Sequence, residues 1–543
     1  MTTRPPQDPH SVAGKPFPVE RHVQVLVVGA GPAGLAAAME ARASGLTTLL
    51  VDEHPLDPAL FGLDVPFHFG GTAGAATRNH GRMLERVAAS MPELERAFEL
   101  GVEVELGVTA WGLFARAPGT CWLPPLAAGL ADRERSWHVT CDRAILALGR
   151  RDTGLAFPGW EQPGVVGAAA LRCLLERYDA FEGGRLLVLG SDVDALLTAR
   201  LALDRGLEVA GIVEIAPAPV GPESLVAELA AAGVPILACT MVKAATADGT
   251  GRVASAVLTA LGADGGPVFG SERSIACDTI VLATGAVPVI DLMGAMHLAF
   301  RFEGSAGGWV PVADEAGRTS HPAVHAVGDC AGLSETKSRD PGIARAEGRI
   351  AARAVARALG AAAGEDDADL ARVRAARAMA GPDLAGRRRA WLEASLAVSG
   401  ADTFLCLCEE VSCREVAEVR APRYLTPDPA RVGGPGALAR LSPERAAADP
   451  DHVKRLTRAG MGVCQGRRCR EQVAALLARE GGVGLEAIPP AIYRAPVRPL
   501  PLEVLARLPE SPEVAEGWDV WFGIPSQWVP PWELTPAEGG AEP

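Results

Sequence analysis

Short apolar runs and longer stretches of helical periodicity alternate along residues 22–360. Residues 23–53, VQVLVVGAGPAGLAAAMEARASGLTTLLVDE, have the pattern of a strand, a turn, a helix and a second strand, which is one complete βαβ unit. Residues 185–214, RLLVLGSDVDALLTARLALDRGLEVAGIVE, repeat that layout. Each unit is followed by a short apolar run that closes on a glycine, at 143–150 and 278–288. The pattern predicts an internal duplication and an α/β fold with two Rossmann-like dinucleotide-binding domains.

The pattern also predicts how the chain is divided. The expected segments are an N-terminal extension (1–20), the first part of the first dinucleotide-binding domain (21–150), the second Rossmann-like domain (151–283), the second part of the first domain (284–360), a helical connector (361–400), a small cysteine-rich helical domain (401–480) and a Pro- and Trp-rich tail (481–543). Two interpretations of the tail stay open, because its tryptophans suit either docking to a partner or packing back onto this chain. These tryptophans are Trp518, Trp521, Trp528 and Trp532.

Composition and charge exclude some classes of protein. The chain has 543 residues, of which 48% are hydrophobic, and a net charge of −14. This acidic balance argues against a nucleic-acid partner, which needs a basic surface. We find neither a secretory signal nor a segment able to span a bilayer, so we expect a cytoplasmic protein. Its 11 cysteines then indicate thiols and metal ligands rather than disulfides.

The first βαβ unit carries the strongest motif. Its turn, GAGPAG, consists of Gly29, Ala30, Gly31, Pro32, Ala33 and Gly34. In such a turn the first glycine permits the tight bend, the second lets backbone approach a pyrophosphate, and the third packs the helix against the strand. Asp52 ends the second strand, where a carboxylate is suited to bind ribose hydroxyls, and its neighbour Glu53 can take the same role. The sequence therefore predicts a dinucleotide site here.

The second unit departs from this motif. Gly190 begins its turn, but Asp192 and Ala195 stand where the second and third glycines are expected. A carboxylate at the second position would repel a pyrophosphate, which argues against tight NAD(P) binding. Glu214 keeps the ribose-type carboxylate at the end of the second strand. A structural remnant and a site for a nucleotide, NAD(P) or ATP, both remain open.

Four cysteines form two close pairs in the cysteine-rich domain. The segments FLCLCEEV and GVCQGRRC supply Cys406, Cys408, Cys464 and Cys469. Four thiolates can hold either zinc or a [2Fe–2S] cluster, and spacing alone does not separate the two. The C-x-C and C-x4-C spacings differ from the usual zinc-ribbon pairs, and a neighbouring redox cofactor would make a one-electron partner useful, so both points favour iron.

GAGPAG, the VDE at 51–53 and VHAVGDCAG at 324–332 together resemble the two-dinucleotide-binding flavoproteins of the pyridine nucleotide-disulfide oxidoreductase type. The resemblance implies bound FAD and gives Gly328 and Asp329 a place near its ribityl and pyrophosphate. The disulfide relay of thioredoxin reductase-like enzymes is not expected, because no CxxC occurs in residues 1–400. The residues that contact the isoalloxazine and the catalytic residues are not identified by the sequence.

CLCEEV with AGMGVCQGRRC resembles the [2Fe–2S] domain of bacterioferritin-associated ferredoxin, and more closely its fused form in FAD subunits of hydrogen cyanide synthase, opine oxidase and D-hydroxyproline dehydrogenase. The resemblance implies that the four cysteines ligate the cluster and that Cys413 does not. The stretch between Cys408 and Cys464 is longer than expected for that family, and the excess falls within 421–450. We also hypothesise that Arg467, Arg468 and Arg470 raise the cluster potential, with a solvated basic face as the alternative.

The leading interpretation is an FAD- and [2Fe–2S]-containing electron-transfer subunit of a heteromeric amino- or imino-acid dehydrogenase or oxidase. The resemblance implies that its partner is a catalytic FAD-dependent amino-acid oxidase-like subunit, and that a further partner is a small ferredoxin-like subunit. The alternatives are a stand-alone NAD(P)H-dependent flavoprotein reductase that serves a ferredoxin-like partner, and an iron–sulfur scaffold or sensor whose flavin fold is structural.

Overall fold

The structure is a computed structural model. It describes residues 18–54, 83–117, 120, 123–379, 381–420, 434, 436–441, 447–508 and 512. Most of the N-terminal extension, much of the stretch at 421–450 and the four tail tryptophans lie outside the described residues, so the predictions for them are not tested here.

The two Rossmann-like units contain most of the described strands. The described strands are β1 (Arg21–Val28), β2 (Thr48–Asp52), β3 (Glu103–Leu106), β4 (Thr109–Ala115), β5 (Leu126–Ala131), β6 (Ser136–Leu146), β7 (Arg150–Asp152), β8 (Val165–Gly167), β9 (Arg185–Leu189), β10 (Glu208–Val213), β11 (Ile236–Leu237), β12 (Thr240–Ala247), β13 (Val253–Ala260), β14 (Arg273–Ala276), β15 (Thr279–Leu282), β16 (Ala286–Pro288), β17 (Phe300–Glu303), β18 (Gly308–Pro311), β19 (Val324–Ala326), β20 (Phe404–Cys406) and β21 (Val411–Ser412).

Helices connect these strands and dominate the C-terminal third. The described α-helices are α1 (Pro32–Ala43), α2 (Met83–Ser90), α3 (Pro92–Glu99), α4 (Ala168–Cys173), α5 (Val193–Asp204), α6 (Glu223–Ala231), α7 (Asp291–Ala295), α8 (Glu335–Arg339), α9 (Pro341–Ala358), α10 (Asp367–Ala378), α11 (Leu384–Val398), α12 (Cys413–Ala417), α13 (Ala437–Leu441), α14 (Pro450–Thr457), α15 (Arg470–Gly481) and α16 (Leu502–Ala506). A π-helical turn (Leu174–Tyr178) extends α4.

The first sheet has the strand order β3-β2-β1-β6-β5-β4. β1, β2 and β3 pair in parallel, and β1 is parallel to β6 on its other side. β5 pairs antiparallel with the first half of β6, and β19 pairs in parallel with its last three residues. β19 follows the second Rossmann-like unit in the sequence. The first unit is therefore built from two separate stretches of the chain. Val25, Leu26 and Val27 of β1 are fully buried, as expected for a central strand covered on both faces.

The second sheet has the order β11-β10-β9-β15-β8, and all its pairs are parallel. A separate antiparallel sheet, β12-β13-β14, lies beside it. The predicted α/β class with two Rossmann-like units is confirmed. The antiparallel sheet was not predicted. Its strands β12 and β13 are eight residues long, but each contains three alanines, which favour strands only weakly.

The cysteine module, which we define as residues 401–481, packs against the second unit. Trp160 is buried, and its indole N–H donates to the carbonyl of Phe404 at 2.8 Å. Ser399 Oγ donates to the carbonyl of Ala156 at 2.9 Å. Apolar residues of both regions form one buried cluster, so the module has a fixed place on the fold.

A C-terminal arm, residues 482–508, runs from the cysteine module to the first unit. Trp309 donates its indole N–H to the carbonyl of Ile488 at 3.0 Å, and the amide of Val497 donates to the carbonyl of Trp111 at 2.8 Å. The arm therefore ties the module to both the β17–β18 hairpin and β4. In the described part of the chain, we find no helix with the length and apolar character needed to cross a membrane.

Candidate functional site

The glycines of the first turn have distinct structural roles. Gly29 has a φ of +105°, and a Cβ on it would lie 2.3 Å from the carbonyl oxygen of Ala147. A Cβ on Gly34 would lie 1.8 Å from the carbonyl oxygen of Gly29. A Cβ on Gly31, by contrast, would meet no described atom within 4 Å. The first and third glycines are therefore required by packing, and the second leaves open space before α1.

That open space has the features of an anion-binding site. Gly31 is the N-cap residue of α1, so it offers no side chain to the helix amides, and Pro32 takes the first helical position. The amides and the helix dipole favour a negative group at this end. The residues present thus fit the pyrophosphate of a dinucleotide such as FAD.

Asp52 lies at the end of β2, as predicted, and its carboxylate is hydrogen-bonded to nearby residues of the chain. One carboxylate oxygen accepts from the amide of Ala30 at 2.6 Å, and the other accepts from His54 Nδ1 at 2.8 Å. Burial would raise the pKa of this carboxyl, but His54 and then Arg177 outweigh burial and hold the pKa well below its usual range. Asp52 is therefore a fixed carboxylate that orders the turn.

His54 and Glu53 are also held by the protein. Burial and Arg177 act to lower the pKa of His54, but the contact with Asp52 wins and raises it to about 10. Glu53 accepts two hydrogen bonds from the guanidinium of Arg498 in the C-terminal arm, at 2.6 and 3.1 Å. The predicted acidic pair thus joins the turn to the arm.

The late glycine–aspartate motif meets the first turn in space. Gly328 has a φ of +70°, and a Cβ on it would lie 3.1 Å from the Cβ of Ala33. Its amide donates to Glu347 of α9 at 2.9 Å. Asp329 lies 3.2 Å from Arg150 Nε. The structure therefore brings together the two motifs that were separated by some three hundred residues.

The turn of the second unit has the same tight bend, but the N-terminus of its helix is not open to a ligand in the same way. Gly190 has a φ of +111°, and a Cβ on it would lie 2.1 Å from the carbonyl oxygen of Ala283. Asp192 caps α5 by accepting from the amide of Ala195 at 2.9 Å. Burial and then the charge of Asp194 raise the pKa of Asp192 to about 7. A side chain of this unit therefore takes the helix amide that a phosphate would use.

The ribose-type carboxylate of the second unit is also engaged internally. Glu214 is buried, and it accepts from the hydroxyl of Ser191 at 2.5 Å and from the amide of Ala216 at 2.9 Å. Both features that could have received a nucleotide are satisfied by the unit itself.

The four predicted cysteines come together although two of them lie far along the chain. Cys406 ends β20, and Cys408 follows in the next turn, with their sulfurs 3.9 Å apart. Cys408 and Cys464 have their sulfurs 3.6 Å apart. Cys469 is the N-cap of α15, and a Cβ on Gly460 would lie 3.9 Å from its sulfur.

Close backbone surrounds these sulfurs. The amide of Gly460 donates to Cys406 Sγ at 3.5 Å, and a Cβ on Gly462 would lie 2.5 Å from Cys408 Sγ. Cys413 begins α12 and is buried. Among the described residues, no three Cys, His, Asp or Glu side chains are arranged to hold a single metal ion. The sulfur of Cys408 lies close to those of both Cys406 and Cys464, so thiols from the two cysteine segments meet in one place.

The arginines beside the second cysteine pair do not form a solvated face. Arg468 is largely buried, with its guanidinium 5.3 Å from the ring centre of Trp160, and burial lowers its pKa. Arg467 and Arg470 each lie 3.5 Å from the buried carboxylate of Asp291. The alternative of an exposed basic surface is therefore wrong.

Asp291 is the centre of a charge cluster that the sequence did not predict. Arg498 lies 2.9 Å and Arg151 3.2 Å from its carboxylate, in addition to the two arginines of the cysteine module. The arginine charges hold the pKa of Asp291 well below its usual range, although burial opposes them. The cluster joins the first unit, the cysteine module and the arm. No local sequence motif predicts this cluster, because its residues are far apart in the sequence.

The fold and the open dinucleotide turn define an FAD-dependent oxidoreductase. The chain belongs to the pyridine nucleotide-disulphide oxidoreductase family, which it matches over residues 23–359. Residues 445–507 match a second family, the sarcosine oxidase A3 domain.

Relatives of known name extend over most of the chain. An opine oxidase subunit from Agrobacterium tumefaciens (strain Ach5) is 26% identical over 90% of this chain and 92% of its own length. Hydrogen cyanide synthase subunit HcnB from Pseudomonas aeruginosa is 24% identical over 90% of this chain and 99% of its own length. The alpha subunit of sarcosine oxidase from Corynebacterium sp. (strain P-1) is 29% identical over 59% of this chain and 31% of its length.

One solved structure has a similar fold across nearly the whole chain. The L-proline dehydrogenase from P. horikoshii covers 91% of this chain and 81% of its own, with a TM-score of 0.59 and 18% sequence identity. This likeness supports the α/β fold with Rossmann-like domains.

Proposed function

We propose that the chain is the electron-transfer subunit, holding FAD and a [2Fe–2S] cluster, of a heteromeric amino- or imino-acid dehydrogenase or oxidase. The observation that carries the proposal is the presence, in one chain, of an open dinucleotide turn and four gathered cysteines. Relatives named as subunits of opine oxidase, sarcosine oxidase and hydrogen cyanide synthase support the same class of assembly.

The residues proposed to hold FAD surround the first turn. They are Gly29, Gly31, Pro32, Ala33, Gly34, Asp52, Glu53, Gly328 and Asp329. The free amides before α1 receive the pyrophosphate, because Gly31 leaves them accessible. Asp52 fixes the conformation of the turn through Ala30, and Arg150 fixes Asp329. When bound, FAD takes up two electrons at a time and a [2Fe–2S] cluster one, so the pair supplies conversion between the two modes.

The cluster is proposed to be held by Cys406, Cys408, Cys464 and Cys469. Sulfur separations of 3.9 and 3.6 Å bring Cys406, Cys408 and Cys464 within reach of one metal centre, and the C-x-C and C-x4-C spacings beside a flavoprotein fold favour a [2Fe–2S] cluster over zinc. Gly462 leaves room for the sulfur of Cys408, since a Cβ there would lie 2.5 Å from it. Cys413 is proposed to be an ordinary buried thiol.

The second Rossmann-like unit is proposed to be a structural support rather than an NAD(P) site. Asp192 caps the helix that a pyrophosphate would need, and Glu214 is already bonded to Ser191. Electrons would then enter from a partner protein rather than from NAD(P)H. We propose that this partner is a catalytic FAD-dependent amino-acid oxidase-like subunit, and that a small ferredoxin-like chain is a third component.

The proposal is tested by reduction of the purified complex. The tagged chain is isolated from its native host with the subunits that co-purify, and separately by itself, and flavin absorbance is followed anaerobically after adding proline, sarcosine, glycine, an opine or NADH. We expect one of the amino-acid substrates to bleach the flavin only when the partner is present. Prompt bleaching of the isolated chain by NADH would contradict the proposal and favour a stand-alone reductase.

Two arginines allow a finer test of the cluster environment. Arg468 is buried near the sulfurs and bears no ion pair within the described part of the chain, whereas Arg467 shares the charge of Asp291. We expect Arg468→Gln to make the midpoint potential of the cluster more negative, because a nearby cation favours the reduced form. Arg467→Gln serves as the matched variant and should shift it less. Equal or absent shifts in a redox titration followed by electron paramagnetic resonance would contradict this role.

A further inference from the structure

A cavity of ≈ 60 Å³ lies where the first unit, the cysteine module and the C-terminal arm meet. It is separate from the open turn before α1, and none of the residues proposed to hold FAD lines it, although Cys469, a proposed ligand of the cluster, does. Since one buried water needs about 10–15 Å³ of such space, the cavity has room for about four to six non-hydrogen atoms. Its size therefore suits a small organic molecule rather than a nucleotide.

One wall of the cavity is cationic. Arg151, Arg388, Lys454 and Arg470 line it, and Glu471 is the acidic side chain among the lining residues. Asp291, just behind the wall, lies 3.2 Å from Arg151 and 3.5 Å from Arg470. Four positive side chains thus face two carboxylates, and one of these carboxylates is shared with further arginines.

Lys454 carries the excess charge. Within the described residues its ammonium has no ion-pair partner, and Arg388, which lies 3.4 Å from Glu471, already uses the acidic side chain of the lining. Burial, and then the nearby charge of Arg470, lower the pKa of Lys454, and together they outweigh the opposing charge of Asp451. An anion placed between Lys454 and Arg470 would supply the missing charge.

Another part of the cavity wall is apolar. Phe302 and Trp309 pack edge to face with ring centres 5.6 Å apart, and Trp309 is fixed by its hydrogen bond to Ile488. Such a wall suits a methyl or methylene group and does not reward a fully hydrated ion. The two walls together specify a ligand with a charged end and a short apolar end.

We propose that this cavity binds a small organic carboxylate, with its carboxylate on Lys454 and Arg470 and its carbon end against Trp309. The site goes beyond the proposed electron-transfer function, and its test does not depend on the cofactors being reduced. Because its walls come from three parts of the chain, a bound carboxylate stabilises their junction.

The test is calorimetric titration of the purified flavin-containing chain with pyruvate, with acetate and inorganic phosphate as comparison probes. We expect saturable binding of pyruvate at one site and a raised melting temperature. Lys454→Met should weaken pyruvate binding by about tenfold or more, since a charge-assisted hydrogen bond is lost. Lys243→Met, on an exposed lysine paired with Glu272, is the matched control and should bind as the parent does.

A second variant guards against misfolding of the first. Ala474 lines the cavity, and Ala474→Met fills it without changing any charge. We expect this variant to melt normally and to lose pyruvate binding. The proposal is overturned if the parent chain does not bind pyruvate, if phosphate binds more tightly than pyruvate, or if the Ala474→Met variant binds pyruvate as the parent does.

Discussion

The two Rossmann-like units share one bend and differ in what stands before the helix. Gly29 and Gly190 both adopt a positive φ, and in both a Cβ would collide with a carbonyl oxygen, that of Ala147 or of Ala283. These collisions come from the protein's own backbone. The first glycine of each turn is therefore required by the fold itself, whether or not a ligand binds.

The second position of each turn separates the units. Gly31 leaves the amides of α1 open, whereas Asp192 uses its carboxylate to cap α5 through Ala195. A helix N-terminus leaves free amide donors, and in the second unit a side-chain oxygen of the chain itself accepts from one of them. The residue at this one position therefore decides whether the helix N-terminus is open to an anion or capped by a side chain of the protein.

The acidic residues that end the second strands show the same contrast. Asp52 bonds to the backbone amide of Ala30, which leaves its turn free of other side chains. Glu214 bonds to the hydroxyl of Ser191, which stands in the corresponding position. In the second unit the strand-end carboxylate is therefore bound by a side chain of the turn, whereas in the first unit it is bound by a backbone amide of the turn.

The largest effect is expected from giving the first turn the residue of the second. In Gly31→Asp the new carboxylate stands about 4 Å from a pyrophosphate charge, a repulsion of about 4 kcal/mol at an effective dielectric near 20. We expect FAD affinity to fall roughly a thousandfold. The measurement is flavin content and the dissociation constant of the purified chain. Asp192→Gly is the matched control and should keep its flavin; FAD retained in Gly31→Asp would break the comparison.

A smaller effect is expected from giving the second turn the residue of the first. Ser191→Ala removes the hydroxyl that donates to the buried Glu214, while Ala30 already occupies this position in the first unit. We expect the free energy of unfolding to fall by about 1.5–3 kcal/mol, as for a lost hydrogen bond to a charged group. Ser274→Ala, on an exposed strand residue, should leave chemical denaturation unchanged. A neutral Ser191→Ala would show that the internal network is not needed.

The smallest effect concerns pH. The pKa of Asp192 is raised from 3.8 to about 7 in the fold, so the folded chain favours the protonated form and its stability falls as pH rises between these values. Asp192→Asn keeps a capping side chain but cannot ionise. We expect the two proteins to be alike near pH 4, and the Asn variant to be more stable by about 1–2 kcal/mol above pH 7, since the side chain is only partly buried. Parallel stability curves across this range would contradict the assignment.

Features set by short patterns could be predicted from the sequence. The bend at Gly29, the strand-end position of Asp52 and the departure from glycine at Asp192 can each be read from a local motif with a known physical role. The pairing of the cysteine segments followed from ligand chemistry and resemblance, and the structure brings Cys408 and Cys464 together.

Features built from distant residues could not be predicted. Asp291 collects arginines from β7, the cysteine module and the arm, and none of these has a local signal for the others. These contacts depend on packing between units, which periodicity does not encode. The capping bond from Ala195 to Asp192 was missed for another reason: it is local, and Asp is a preferred N-cap residue, but Asp192 was considered only as a charge facing a phosphate.

The central claim is that the cysteine module holds a [2Fe–2S] cluster. The most direct measurement is iron, zinc and acid-labile sulfide content, with an electron paramagnetic resonance spectrum after reduction, of anaerobically purified chain. We predict equal iron and sulfide with negligible zinc, loss of both in Cys406→Ser and Cys464→Ser, and retention in Cys413→Ser, which removes a buried thiol of the same module. Stoichiometric zinc, or iron that survives in the first two variants, would contradict the account.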